Sequence, residues 1–97
     1  MTIREGSADI YKKRHDEIWP ELAQLLHAYG IFDYGIFLDE STRELFAVLK
    51  ISDAAHLDRL ADEPLMRRWW QYMSDIMECN GDQSPATVPL KEMFYMP

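Results

Sequence analysis

The sequence predicts an α+β domain in which an antiparallel sheet carries its helices on one face. Three observations lead to this prediction. Two long segments carry apolar residues at helical spacing. Two segments between them carry apolar residues at every second position, as strands with one covered face do. The length of 97 residues suits one compact domain, residues 1–97, and leaves no room for a second.

The first third of the chain predicts a short strand followed by a helix. Met1–Glu5 is the candidate strand, and Ser7 in the next turn is a plausible helix N-cap. The helix should end at Gly30 and should kink or restart at Pro20, because proline removes a backbone donor and disfavours helical geometry before it. Its apolar stripe comprises Tyr11, Ile18, Trp19, Leu22, Leu25, Leu26 and Tyr29.

The middle of the chain predicts a hairpin. Two strands, Phe32–Asp39 and Leu45–Ser52, are separated by a polar turn over residues 40–43. So short a connection joins antiparallel neighbours. One face of the first strand carries Tyr34, Ile36 and Leu38.

The last part predicts a second helical region and a closing strand. Ser52-Asp53 caps this region, which continues strongly over Leu65–Met77 and is followed by a loop, residues 78–89. Leu90–Met96 is the candidate last strand. The resulting order is the ferredoxin-like βαββαβ plan with an antiparallel sheet. Because the helices cover one face of the sheet, the other face needs a second copy or a ligand cavity.

The charge balance argues against two classes of partner. The formal net charge is −7, whereas nucleic acids and anionic membranes attract a basic surface. The short basic runs Lys12–Arg14 and Arg67-Arg68 are interpreted as solvated helix faces. The single cysteine, Cys79, allows no disulfide within the chain and no zinc cluster. With no signal peptide and no apolar run of membrane-spanning length, we expect a cytoplasmic location.

His15 lies in the apolar stripe of the first helix, one turn after Tyr11. An imidazole there is partly desolvated and can gain or lose a proton near neutral pH, which favours a catalytic role. The alternative is a hydrogen-bonded core histidine. The other two histidines, His27 and His56, are predicted to lie at the surface.

Aromatic rings that suit a sugar collect around this histidine. Sugars have flat patches of C–H groups that rings can cover, and Tyr and Trp also supply a polar group. Each ring taken singly could equally be a packing residue, and neighbouring tryptophans on a helix point in different directions. The rings in question are those of Tyr11, Trp19, Tyr34, Trp69 and Trp70.

Two segments of the chain resemble the signatures of the L-rhamnose mutarotase family. The first is YKKRHDEIWPEL, residues Tyr11–Leu22. The second is RWWQYM, residues Arg68–Met73, followed by Asp75–Met77. The loop with Asn80, Asp82, Ser84 and Pro85 and the ending FYMP are similar as well, so that the resemblance covers nearly the whole chain.

The resemblance implies an enzyme that interconverts the α and β anomers of L-rhamnose without a metal or an organic cofactor. It also implies a homodimer, a dimeric α+β barrel in which the sheet faces pack toward each other. The family's proton donor falls on His15, and its sugar-binding positions fall on Tyr11, Tyr34, Trp69 and Trp70. Family members usually begin several residues earlier, so we expect a shortened first strand here.

Mutarotation opens the hemiacetal ring, and we hypothesise that His15 transfers the proton. The identity of a second acid–base group stays open, because a tyrosine, Asp16 or water would each serve. Two other functions on the same dimeric fold also stay open. One is a non-catalytic module that binds a small molecule, and the other is a cofactor-free monooxygenase.

Overall fold

The computed structural model describes all residues, Met1–Pro97, and confirms the α+β class. None of its helices combines the length and apolar character needed to cross a bilayer. The elements in chain order are α1 (Ala8–Asp16), α2 (Pro20–Ala28), β1 (Ile31–Asp39), β2 (Glu44–Ile51), α3 (His56–Leu60) and α4 (Pro64–Met73).

The predicted first helix is broken into α1 and α2 at the expected place. Trp19 has an extended ψ of 128°, and Pro20 begins α2 as its first residue. The break agrees with the restriction that proline imposes on the residue before it. After α2 the chain turns at Gly30, whose φ of +78° suits glycine. A Cβ atom at that position would collide with the Ser52 hydroxyl.

β1 and β2 form the predicted antiparallel hairpin, which contains a β-bulge. Phe32 pairs with Lys50 and Gly35 with Val48, so that two residues of β1, Asp33 and Tyr34, face a single residue of β2. Asp33 adopts a φ of +49°. Tyr34 lies on the same face as Ile36 and Leu38, as predicted, and the extra residue puts Ile31 on that face as well.

The edge strands are much shorter than predicted, and the last one lies elsewhere. The first strand is reduced to two bridges, between Thr2 and Glu44 and between Ile3 and Met77. Met77 therefore occupies the position of the fourth strand, in the antiparallel order of the ferredoxin-like plan. Accordingly α4 ends at Met73 rather than at Met77. The predicted strand Leu90–Met96 was wrong, because the place beside the first strand is already filled; this segment has no regular secondary structure and is exposed.

The core lies between the helices and one face of the sheet. Helices and strands both contribute to it, as the predicted plan requires. Its buried residues are Ile3, Tyr11, Leu22, Ile31, Leu45, Leu60, Met66, Trp69, Met73, Ile76 and Met77. On the opposite face of the sheet Phe32, Phe37, Phe46 and Val48 are exposed. One face of the sheet is thus covered and the other is bare in the single chain.

Candidate active site

A cleft of about 980 Å³ opens between the helices and the inner face of the sheet. Its volume lies at the upper end of the range for small-molecule sites. Most of the side chains along it are apolar, which leaves a few polar groups to determine specificity. The five residues to which the family resemblance assigns a role all border this one cleft: Tyr11, His15, Tyr34, Trp69 and Trp70. Trp19, the other aromatic candidate, does not line it.

His15 is held in a defined tautomer by its own helix. Its Nδ1 atom lies 3.1 Å from the backbone carbonyl oxygen of Tyr11. A carbonyl oxygen only accepts hydrogen bonds, so Nδ1 carries the proton and Nε2 keeps a free lone pair. The imidazole stacks on the Tyr11 ring at 4.3 Å and meets the Trp69 ring edge-on at 5.4 Å. These contacts restrict both the rotation and the tilt of the ring.

Burial makes His15 neutral at physiological pH. Loss of solvent lowers the pKa of the imidazole below its ordinary value, and this effect outweighs the hydrogen bond to Tyr11 and the nearby Asp16 carboxylate, which act in the other direction. A neutral imidazole with a free Nε2 can accept a proton. Once it is protonated, the lowered pKa makes it a correspondingly stronger acid.

Two phenols remain protonated beside the imidazole. Burial raises the pKa of Tyr11, and the neighbouring Tyr34 raises it further. Loss of solvent also raises the pKa of Tyr34, although this residue keeps 45% of its surface accessible at the rim of the cleft. Both hydroxyls are therefore available as neutral hydrogen-bond donors and acceptors.

The two tryptophans border the cleft in different ways. Trp69 is 5% exposed and packs edge-on against Trp19, with ring centroids 5.1 Å apart. Trp70 is half-buried and has no ring partner among the aromatic side chains. Since consecutive helical residues point about 100° apart, the two rings face different directions, with Trp69 packed inward and Trp70 more exposed.

Two sequence-based interpretations need correction, whereas a third was right. The Arg14 side chain keeps only 12% of its accessible surface and pairs with Asp75, so it does not belong to a solvated helix face. His56 is half-buried, with Nδ1 2.9 Å from the backbone oxygen of Tyr29. His27 is exposed as expected. Arg14 and Asp75 are 61 residues apart, and no local pattern signals their contact.

The structure contains no group of three or more His, Cys, Asp or Glu side chains arranged to hold a metal ion. The polar side chains along the cleft instead comprise an imidazole, several hydroxyl groups, one amine and three carboxyl groups, those of Asp9, Asp16 and Glu40. Such a set suits proton transfer and hydrogen bonding to a polar ligand.

Comparison with known proteins identifies the family. A family model described as L-rhamnose mutarotase matches residues 1–96. The L-rhamnose mutarotase of Flavobacterium johnsoniae is 53% identical over 96 residues, covering 99% of this chain and 90% of that protein. The L-rhamnose mutarotase of Brucella anthropi is 48% identical over 97 residues, covering 100% of this chain and 92% of that protein.

A solved structure agrees with this family assignment. The crystal structure of an L-rhamnose mutarotase from Formosa agariphila superposes with a TM-score of 0.92 at 45% sequence identity. The match covers 100% of this chain and 93% of that one. The predicted family, fold class and enzyme class are confirmed by these matches. The chain belongs to the L-rhamnose mutarotase family, a family of isomerases.

Proposed function

We propose that the single domain, residues 1–97, binds L-rhamnose in the cleft and interconverts its α and β anomers, with His15 as the catalytic residue. The observation that carries this proposal is the imidazole itself. It borders the cleft, it is neutral, and its hydrogen bond to Tyr11 leaves Nε2 free. A ligand hydroxyl placed there meets a proton acceptor.

The proposed reaction needs one proton to move from one sugar oxygen to another. Nε2 of His15 takes the proton of the anomeric hydroxyl, the C1–O1 bond becomes a carbonyl, and the bond from C1 to the ring oxygen breaks with its electron pair on that oxygen. The ring oxygen then takes a proton. Rotation about the C1–C2 bond and the reverse steps give the other anomer.

Protonated His15 is the acid best suited to protonate the ring oxygen in the second step of this reaction. The pKa values of Tyr11 and Tyr34 are raised, so neither phenol releases its proton easily. The pKa of His15 is lowered, so its protonated form gives the proton back readily. We therefore assign the phenols to holding sugar hydroxyls and His15 to both proton transfers. Asp16 and water remain the other candidates for the second acid–base group.

The remaining surfaces of the cleft fit a 6-deoxy sugar. Trp70 leaves its ring available for the C–H face of the sugar, and Trp69 closes the inner wall. L-rhamnose has a methyl group in place of a hydroxymethyl group. The apolar side chains of Leu22, Leu26 and Ile36, which also border the cleft, can receive that methyl group.

A homodimer is part of the proposal. Phe37 and Phe46 are cross-strand partners on the bare sheet face, and they are 63% and 39% exposed. Beside them Val48 is 61% exposed. A second copy that packs the same face against this one would cover all three side chains. The exposed apolar residues of the segment 88–96 offer the partner additional surface.

Sedimentation velocity tests the dimer. Phe37→Lys and Val48→Lys introduce like charges at the proposed two-fold contact, so each variant should sediment as a monomer. Ile10→Lys is the control, since Ile10 is an exposed apolar residue of α1 outside the sheet face. A monomeric unmodified protein, or dimeric variants, would contradict the sheet-face dimer.

We also place the reaction in the cytoplasm. Cys79 is a free, half-buried cysteine, and burial raises the pKa of its thiol. An unpaired thiol persists most easily in a reducing compartment. Cell fractionation tests this location, and recovery of the protein in a periplasmic or secreted fraction would contradict it.

Exchange NMR on L-rhamnose tests the reaction. Added protein should speed the exchange between the two anomeric signals, and His15→Ala should reduce the catalysed rate by about 10²–10⁴-fold while the variant stays folded. His27→Ala, which removes an exposed histidine of α2, is the matched control and should be unchanged.

Three other results would count against the proposal. Full activity in His15→Ala would remove that residue from the mechanism. Shifted sugar signals without faster exchange would favour a binding module. Oxygen consumption with an aromatic substrate, and no sugar exchange, would favour a cofactor-free monooxygenase.

A further inference from the structure

Arg14 joins the end of α1 to the end of α4 through several contacts at once. Its Nη1 atom donates to the backbone oxygen of Tyr72 and to Oδ1 of Asp75, each at 2.8 Å. Nη2 donates to Oδ2 of Asp75 at 3.2 Å. The guanidinium carbon also lies 4.4 Å from the centre of the Tyr72 ring, which adds a cation–π contact. A planar fork of donors is needed to make all of these contacts together.

The aromatic side chains around this arginine lead to the proposed catalytic imidazole. The Tyr72 ring lies 5.7 Å from Trp69 and 5.5 Å from Trp19, measured between centroids. Trp69 in turn meets His15 edge-on at 5.4 Å. One continuous cluster therefore connects the guanidinium of Arg14 with the imidazole of the next residue in the chain.

Packing of the buried Tyr11 holds α1 against the core, but apart from Arg14 no side chain at the end of the helix forms a hydrogen bond to another element. The helix is nine residues long, too short to be stable alone, and the chain is non-helical at Trp19. The exposed ion pair between Lys12 and Asp16 lies within α1 and gives it no tie to another element. Arg14 therefore supplies the polar link between the last turn of α1 and the wall that carries Trp69.

We infer that Arg14 is a positioning residue for the proposed reaction: held by Asp75 and Tyr72, it fixes the rotation of α1 so that His15 keeps its place against Trp69. The inference rests on the role proposed for His15. Neighbouring helical residues point about 100° apart, so fixing the direction of one fixes the direction of the other. A shift of about 1 Å in a reacting group can cost about 10²-fold in rate.

Steady-state exchange kinetics of three variants test this inference. Arg14→Gln should lower kcat by about 10- to 100-fold with a smaller change in KM, because Trp70 and Tyr34 still bind the sugar. Arg14→Lys should recover part of the loss, since an ammonium keeps the charge but lacks the planar fork. Asp75→Asn should lie between Arg14→Gln and the unmodified protein. Arg67→Gln, which removes an exposed arginine of α4, is the control and should be unchanged.

The imidazole ¹⁵N shifts of His15 provide a readout that a loss of stability alone would not change. The unmodified protein should give one protonated Nδ1 and one free Nε2. Arg14→Gln should keep this pair, because the bond to Tyr11 lies within α1, but the titration of the ring should move back toward the ordinary histidine pKa, because an imidazole displaced from Trp69 regains solvent. An unaltered titration or an unaltered kcat in folded Arg14→Gln would overturn the inference. If Arg14→Gln fails to fold, the same two measurements on Asp75→Asn decide.

Failure of this inference can be told apart from failure of the proposed function. Full activity in His15→Ala would refute the catalytic role of His15. The ¹⁵N shifts of the Arg14 variants would still report whether the arginine holds the ring. Conversely, an inactive His15→Ala together with a fully active, folded Arg14→Gln would refute only the positioning role.

Discussion

The turn between α2 and β1 should make Gly30 more sensitive to an alanine substitution than Gly6. Gly30 and Gly6 have nearly equal positive φ angles, +78° and +76°. A Cβ atom at Gly6 would meet nothing within 4 Å, whereas at Gly30 it would collide with the Ser52 hydroxyl. The two positions therefore share the backbone cost of an alanine substitution and differ only in the steric cost.

Gly6→Ala should lower the free energy of unfolding by about 1–2 kcal/mol, which is the cost of the left-handed conformation for a residue with a Cβ atom. Gly30→Ala should lower it by about 2–5 kcal/mol, because overpacking adds about 1–3 kcal/mol. In a domain of this size each kcal/mol corresponds to about 4–8 °C in Tm. Gly81→Ala is the control, since Gly81 has neither a positive φ nor a close neighbour.

Urea unfolding followed by tryptophan fluorescence measures these differences, with the m-value as a check that the denatured state is unchanged. Ser52→Ala in the Gly30→Ala background should recover part of the extra loss, because it removes the hydroxyl that the new Cβ atom meets. Equal losses at Gly6 and Gly30 would refute the steric argument. A loss at Gly81 as large as that at Gly6 would refute the backbone argument.

Two further predictions concern the cleft. The value of kcat/KM should fall as the pH decreases through the pKa of His15, because the protonated imidazole cannot accept the anomeric proton; burial lowers that pKa, so the fall should begin below about pH 6.5. A pH–rate profile measures this, and a decline that starts above neutrality would contradict the desolvated imidazole. Trp70→Ala should raise KM by about tenfold with a smaller change in kcat, and Trp70→Phe should recover part of it, because a stacking ring contributes about 0.5–1.5 kcal/mol beyond its buried area. An unchanged KM would assign Trp70 to packing.

Much of the cleft could be predicted because its residues belong to regular patterns. Tyr11 and His15 are one helical turn apart in α1. Trp69 and Trp70 lie within α4, which is strongly amphipathic. Helical spacing places Tyr11 and His15 on one side of α1 without any knowledge of the rest of the fold. The hairpin was predictable for a similar reason, since its polar turn separates two segments with apolar residues at every second position.

The features that escaped prediction depend on contacts between distant parts of the chain. The bond of Arg14 to Asp75 joins two helical segments, and nothing in either segment distinguishes this arginine from the lysines before it. The last strand was misplaced for a related reason. Apolar and aromatic residues near the end of the chain favour a strand, but Met77 already pairs with Ile3 and leaves no place there.

The bulge in β1 reconciles two requirements that a regular strand could not meet together. Ile31 is buried in the core, and Tyr34 borders the cleft three positions later on the same side. In a regular strand, side chains three positions apart point to opposite faces of the sheet. The bulge at Asp33 inserts an extra residue, so that both side chains point to the same face. A β-branched residue at that position would disfavour the positive φ and would favour a regular strand without the bulge. Without the bulge, either Ile31 would leave the core or Tyr34 would point away from the cleft.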